Sequence, residues 1–413
     1  MHILFLSDNF PPEVNAPASR TFEHAREWVK AGHKVTVITC APNFPRGEVF
    51  DGYRNRLWQS ETMAGIQVIR VWSFITANEG FLKRILDYLS FMLSASIAAL
   101  FVPRVDIIVG TSPQFFTAVA AFLVSLVKRR PWVFELRDIW PESIQAVGAM
   151  RQSRLLDLLE RLELFLYRRA TAIVAVTHAF RDNLMERGID GAKIHVVTNG
   201  VDTSRFVPRG KDIDLVAKLG IEGKFVAGYI GTHGMAHALE TILEAAGRLG
   251  ARPDGDRFRF LFLGGGSGKA ALMAEAQARG LANVIFIDTV PKDDVVRYWS
   301  LLDVSIIHLQ RTPLFETVIP SKLFECMGMG IPVLHGVRGE SARIVMEEKV
   351  GITFEPEDAD DLCRALAALA ADPAALQALR SNGPAAAVKY DRCVLAGTML
   401  RILERMANVR AAV

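Results

Sequence analysis

Three residues in TPLFETVIPSKLFECMGMGIPVL (residues 312–334), namely Glu316, Lys322 and Glu325, are of types that hold phosphates and sugar hydroxyls. Pro320 and Ser321 read as a helix start, with Ser321 as the cap. Lys322 and Glu325 then fall three residues apart in the first turn, on neighbouring parts of one face. The open backbone N–H groups of such a start suit a diphosphate, Lys322 adds a cation, and Glu325 can accept two hydroxyl hydrogen bonds from a ribose. An acidic residue kept there for stability alone is worth only about 0.3–1 kcal/mol, and any position in the turn would serve.

Other stretches have the same character. GYIGTHG (228–234) is a strand ending at Gly231, followed by a turn in which His233 and Gly234 can face an anion. FLGGGSGKA (262–270) looks like a phosphate loop, but the Walker pattern needs Gly at Leu263 and Ser or Thr at Ala270, and it fails at both. Its glycines are either a tight turn or backbone lining a nucleotide pocket. No glycine fingerprint follows the first strand, so classical dinucleotide binding is disfavoured. ELRDIWPES (135–143) gathers Glu135, Arg137, Asp138 and Glu142 behind a buried strand, where charges must be solvated, paired or functional. Asp-x-Asp triplets at 212–214, 254–256 and 358–360 lie in a linker, a polar turn and a helix start, so no catalytic metal is expected.

Parallel sheets must position these residues. HILFLSD, KVTVITC, VDIIVGTS, WVFEL, AIVAVT and KIHVVTN alternate with helical patterns in the first half. FVAGYIG, FRFLFLGGG, VIFIDTV, VSIIHL, IPVLHGV and GITFEP restart the rhythm in the second. Continuous apolar strands alternating with helices predict two doubly wound α/β domains. A chain of 413 residues suits two such units. Their boundary is expected at 207/208, and the helical tail from about 391 to 413 is expected to rejoin the first domain, leaving 208–390 as the second. Ligands of such sheets bind beyond the carboxyl strand ends, and two facing sheets would share a cleft.

The net charge is +3; residues 1–200 carry 23 Lys and Arg against 19 Asp and Glu, and residues 201–413 carry 25 against 26. That excess is too small for a nucleic-acid binder but compatible with an anionic surface. FLKRILDYLSFMLSASIAALFVPR (81–104) and FFTAVAAFLVSLVKRR (115–130) are too short or too interrupted to span a bilayer, which takes about 20 apolar residues. They are either buried helices or, with Lys83, Arg84, Arg104 and the 128–130 basic run, a membrane-interface surface. Cys40, Cys326, Cys363 and Cys393 show neither disulfide nor zinc spacing, and Met1 leads straight into a strand. A cytoplasmic protein with reduced thiols is expected.

Eight stretches in order (NGVDTSRFVP, GYIGTHG, FLGGG, VIFIDTVPKDDVVRYWSLLDVSIIHL, PSKLFECMGMGIPVL, GESARIV, VGITFEPEDADDL and LRSNG) make the chain resemble the GT-B retaining glycosyltransferases of family 4. FPPE and ELRDIWPES resemble the bacterial branch that builds O-antigen and capsule, including fucosamine transferase-like members. The resemblance implies donor contacts from Gly231, His233, Gly234, Gly265, Val290, Pro320, Ser321, Lys322, Leu323 and Glu325, with Glu325 on the ribose. It implies chemistry near the sugar from Asp138, Lys322 and Glu316, although the first acidic position of the Glu-x7-Glu motif falls on Thr317. Acceptor or sugar contacts would come from Asn15, Arg20, Arg137 and Glu142, Asn15 and Ala16 replacing the usual glycine pair.

That implies transfer of a sugar from a nucleotide sugar, a UDP-sugar, to an undecaprenyl-diphosphate-linked acceptor with retention, without a metal or other cofactor, on the inner face of the bacterial plasma membrane. In a front-face mechanism the leaving phosphate takes the acceptor proton, so no protein nucleophile is needed. Two alternatives stay open: a GT-B UDP-sugar epimerase, and a non-catalytic membrane-associated assembly protein.

Overall fold

The computed structural model of the chain describes residues 1–44, 46–76, 81–139, 154–291 and 293–408. They form two compact units, Met1–Thr198 with Arg392–Val413, and Asn199–Asp391. Residues 199–207, placed with the first domain by the sequence reading, group with the second. Val201 bridges to Asp391 there, and Phe206 is buried in that unit's core.

The first unit runs β1 (His2–Leu6), α1 (Ala16–Lys30), β2 (Lys34–Cys40), β3 (Trp58–Met63), β4 (Ile66–Val71), α2 (Phe81–Leu100), β5 (Ile107–Thr111), α3 (Phe115–Lys128), β6 (Trp132–Leu136), α4 (Arg154–Arg169), β7 (Ala172–Ala175), α5 (His178–Glu186) and β8 (Ile194–Val196). Its sheet has the order β3-β4-β2-β1-β5-β6-β7-β8 and is parallel except for β3 against β4. Every residue of β1, β5 and β6 is buried, as a sheet covered on both faces requires. The β3–β4 hairpin escapes a search for apolar runs, because WQSETM is a mostly polar edge strand. Ala64 and Gly65, both at positive φ, make its two-residue turn.

The second unit runs α6 (Ile213–Leu219), β9 (Phe225–Ile230), α7 (Glu240–Gly250), β10 (Phe258–Leu263), α8 (Lys269–Ala278), β11 (Val284–Ile287), α9 (Val295–Trp299), β12 (Val304–His308), α10 (Lys322–Met329), β13 (Val333–Gly336), α11 (Glu340–Glu347), β14 (Gly351–Thr353), α12 (Ala359–Ala371) and α13 (Pro373–Ala387). The all-parallel order is β11-β10-β9-β12-β13-β14. Alternation along β10 sends Phe258, Phe260 and Phe262 to one core layer and Leu261 and Leu263 to the other.

The chain then returns to the first unit as α14 (Arg392–Ala407), as the sequence reading expects. Leu395, Met399, Ile402 and Leu403 join the core around Trp28, whose indole N–H donates to Ala396 O at 2.9 Å. Arg392 pairs with Glu23 at 2.5 Å. The strand order reverses between β1 and β5 in the first sheet and between β9 and β12 in the second. Doubly wound sheets bind ligands beyond the strand ends at such points.

Candidate active site

In the second unit the turns after β9 and β10 interlock at the reversal point. Gly231 N donates to Leu263 O at 2.9 Å, His233 N to Gly265 O at 2.8 Å, and Gly268 N to His233 O at 2.9 Å. Gly264 sits at φ +142, and a Cβ there would lie 2.0 Å from Gly231 O, so only glycine allows the two turns to touch. The lysine of GGGSGK is a brace: Lys269 Nζ donates to Gly264 O, Ile287 O and Asp288, at 2.9, 3.0 and 2.6 Å. That accounts physically for the failed Walker pattern.

Lys322 opens α10 and reaches over these turns. Its Nζ lies 3.7 Å from the Tyr229 ring centroid, and its chain crosses Gly231, where a Cβ would meet Lys322 Cε at 2.5 Å. The ring attracts the cation but does not neutralise it. Burial lowers the ammonium to about 7, with Glu325 and Cys326 pulling the other way. Tyr229 is fixed by its hydroxyl, which donates to Thr232 O at 2.7 Å. Tyr229 carries no signal of this role in the sequence, since its partner lies 93 residues away.

His233 is not the cation expected from its position. The ring is buried among Tyr229, Phe262 and Phe286, and neither ring nitrogen has a partner among the described residues. Burial first, then Lys269 and Lys322, hold it at about 4, so it is neutral near pH 7. His237, which also stacks near Tyr229, is held at about 4 by burial and by Lys322. Lys322 is therefore the titrating cation among these three groups.

The helix start differs from its expected form. Ser321 makes no side-chain cap. The N–H groups of Leu323, Phe324 and Glu325 turn back to Pro320 O, Ser321 O and Ser321 O, whereas those of Ser321 and Lys322 meet no acceptor among the described residues and can face an anion. Leu323 itself is core and offers a ligand no side chain. Glu325 is half-buried one turn beyond Lys322. Thr317 spends its hydroxyl on Leu314 O at 2.7 Å, whereas the Glu316 carboxylate makes no bond among the described residues. Gly339 clasps Glu316 from behind, since a Cβ there would lie 2.0 Å from Glu316 O. Gly265 packs on Thr289, Val290 is half-buried on the core, and Gly234 faces open space, with nothing closer to a Cβ than Thr232 at 3.7 Å.

The first-unit candidates are mostly structural. Asn15 caps α1, accepting from Ala18 N at 2.9 Å and donating to Asn9 at 2.5 Å, so both ends of its amide are committed. Arg20 is buried and bonds Glu135 at 2.9 Å, Thr198 O at 2.6 Å and Val197 O at 2.9 Å. It clamps β8 to the sheet rather than meeting a phosphate. Arg137 and Asp138 both donate main-chain N–H groups to Ser112 Oγ, at 2.8 and 3.1 Å, which sets the turn after β6. Arg137 Nε and Nη1 are buried without hydrogen-bond partners among the described residues, and burial lowers its guanidinium to about 10 against the pull of Glu135. Buried His24 is held well below its usual range by burial, Arg20, Arg137 and Arg392. Glu142 lies outside the described residues.

Two parallel-sheet units with strand-end sites define the GT-B architecture. Comparison with solved structures agrees: sucrose-phosphate synthase from Thermosynechococcus elongatus superposes with a TM-score of 0.77 at 16% identity over 98% of each chain. HepE from Anabaena, solved in complex with UDP, gives 0.73 at 17% identity over 98% of this chain and 100% of that one. Residues 18–205 match Glycosyltransferase Family 4, and residues 212–386 match Glycosyl transferases group 1. The protein named as the colanic acid biosynthesis glycosyl transferase WcaI of Escherichia coli (strain K12) is 26% identical over 340 residues, 80% of this chain and 82% of its own. The chain is a glycosyltransferase of GT-B architecture, its first half matching one of these family models and its second half the other.

Proposed function

We propose that the protein transfers a sugar from a UDP-sugar, an N-acetylated amino or deoxy-amino sugar, to a polyprenyl-diphosphate-linked saccharide with retention at the anomeric carbon. In this reading it acts in cell-surface polysaccharide synthesis, in the O-antigen and capsule branch that includes fucosamine transferase-like members. The observation that carries the reading is Lys322, an under-solvated ammonium that makes no ion pair among the described residues, beside the helix-start N–H groups of Ser321 and Lys322. The leaving diphosphate gains charge as the glycosidic bond breaks, and preorganised donors that meet that charge lower the barrier. The leaving phosphate takes the acceptor proton, while Asp138 and Glu316 orient sugar hydroxyls and Glu325 holds the ribose. UDP in the HepE crystals and the colanic acid role in WcaI's name support the donor and pathway class.

The acceptor class draws support from the surface of α2. Leu86, Leu89, Leu93, Ile97 and Leu100 form one exposed stripe at helical spacing, with Leu93 60% exposed, and Leu126 and Val127 of the adjoining α3 are exposed too. Lys83, Arg104, Arg129 and Arg130 are exposed as well, whereas Lys128 is withdrawn to Leu100 O and Val102 O. Among the described residues no single helix is long and apolar enough to cross a membrane. An apolar stripe with basic neighbours suits lying on an anionic leaflet, in our reading the inner face of a bacterial plasma membrane.

Calorimetry with UDP, followed by assay of UDP-sugars with a short lipid-diphosphate saccharide, tests the reading. Binding that weakens in Glu325→Ala and Lys322→Ala, and transfer that persists in EDTA, are expected. No binding at millimolar UDP would overturn it, and products from donor alone would point to an epimerase.

A further inference from the structure

The returning helix α14 closes a cavity in the first unit that none of the preceding chemistry uses. The cavity holds about 350 Å³ beside β8, the last strand in that sheet's order. His178 and Arg181 of α5, His195 of β8, and Arg401 and Arg405 of α14 line it, and among the described residues no carboxylate does. Ile194, Val196 and Ile402 supply apolar wall.

His178 and Arg181 stand three apart on α5, and Arg401 and Arg405 four apart on α14, so each helix turns a basic pair to the cavity. Like charges at such spacing repel and weaken a helix, which gives the fold alone no reason to place them there. Glu404, next to Arg405 in sequence, faces His33 at 3.3 Å. Arg401 donates to the Thr398 hydroxyl at 3.0 Å, and none of the three arginines forms an ion pair among the described residues. Arg181 Nε is buried with no hydrogen-bond partner there, whereas a basic face serving solubility alone would keep its donors in water. Burial and then the Arg405 guanidinium lower the His195 imidazole, so the charge of α14 bears on β8 at the cavity wall.

Such a wall is completed by an anion with several oxygens. Guanidinium forks match phosphate oxygens in pairs, and imidazole N–H groups add further donors. A pocket of this size has room for a phosphate and a small organic group attached to it, against which the aliphatic side chains can pack. We propose that this cavity binds the phosphate group of a phosphorylated molecule through Arg181, Arg401, Arg405, His178 and His195. None of these residues belongs to the donor or acceptor groups assigned above, so the site adds a second ligand to the chain and stands independently of the transfer reaction.

The test is NMR of the full chain with ¹⁵N-labelled histidine, the His178 and His195 imidazole signals being assigned by His178→Gln and His195→Gln. Inorganic pyrophosphate is expected to shift both signals saturably. Arg181→Gln and Arg405→Gln should each weaken that binding about tenfold, while Lys322→Ala leaves it unchanged. Should Arg181→Gln fail to fold, Arg405→Gln, on an exposed side chain, decides. Glycerol 3-phosphate and vesicles of phosphatidylglycerol in phosphatidylcholine then compete with pyrophosphate. Displacement by the first alone identifies a soluble phosphate ester, and displacement by the vesicles identifies a lipid headgroup. Signals that stay in place at about 10 mM pyrophosphate, shifts that never saturate, displacement by neither competitor, or an Arg405→Gln protein that binds as wild type does overturns the assignment.

Discussion

Arg20 in the first unit and Lys322 in the second are both cations withdrawn from water near the carboxyl end of a parallel sheet. Arg20 has an acid at 2.9 Å and two carbonyls, which together occupy its guanidinium. Among the described residues Lys322 has only an aromatic face and a glutamate one turn away. The first arrangement is complete without a ligand and therefore serves the fold. The second is incomplete, which is what a site for an anion needs: an unneutralised charge whose cost is relieved only when the ligand arrives.

The comparison is broken most severely at the paired cation. Arg20→Ala removes the direct ion-pair partner of buried Glu135 and the donor to the Val197 and Thr198 carbonyls, and a loss of about 3–5 kcal/mol in urea unfolding is expected. Lys322→Ala should leave stability nearly unchanged, because it removes a poorly solvated charge that makes no ion pair among the described residues. Its effect belongs in binding: UDP affinity measured by calorimetry should fall roughly 100-fold, the scale of hydrogen bonds to a charged group. Equal stability losses in the two variants would erase the distinction.

Residue types and spacing made the second unit more legible than the first. The strand rhythm, the returning helix and the α10 start follow from apolar periodicity and a Pro-Ser start, which are local signals. Tyr229 under Lys322 was not legible, because the pair spans four strands of a parallel sheet and no spacing rule joins them. His233 misled for the converse reason. Its position after β9 is that of a ligand-facing residue, but three aromatic rings contributed by β9, β10 and β11 enclose it. Arg20 and Asn15 likewise became visible as structural only once Glu135, Val197 and Asn9 were in place around them.

Gly234 sharpens the comparison with a smaller effect. Unlike Gly231 and Gly264 it has ordinary backbone angles, and a Cβ there meets nothing within 3.4 Å. The protein itself therefore has no steric need for glycine at 234. If the open space belongs to the donor, Gly234→Val should fold with an unchanged melting temperature yet bind UDP about tenfold more weakly. Gly264→Ala, which drives a Cβ into Gly231 O, should instead lose stability. A Gly234→Val protein with full UDP affinity would move the donor away from this turn.

The smallest expected effect is also the most specific to an unpaired lysine. With its ammonium near 7, Lys322 is charged below that pH and increasingly neutral above it. UDP should favour the charged form, so its dissociation constant should rise about three- to tenfold between pH 7 and pH 8.5, one unit of pH changing the charged fraction by at most tenfold. The nucleotide does not account for such a rise, because a phosphate with its second pKa near 6 is already ionised there. Nor do His233 and His237, both neutral throughout that range. Calorimetry at pH 7.5 in buffers of different ionisation enthalpy should show a fraction of a proton taken up per UDP bound. Lys322→Arg keeps the charge at every pH and should flatten the profile and abolish the uptake, even if its fork fits over Tyr229 less well. A profile as steep in Lys322→Arg as in wild type would assign the titration to another group and remove the reason for calling Lys322 the phosphate's partner.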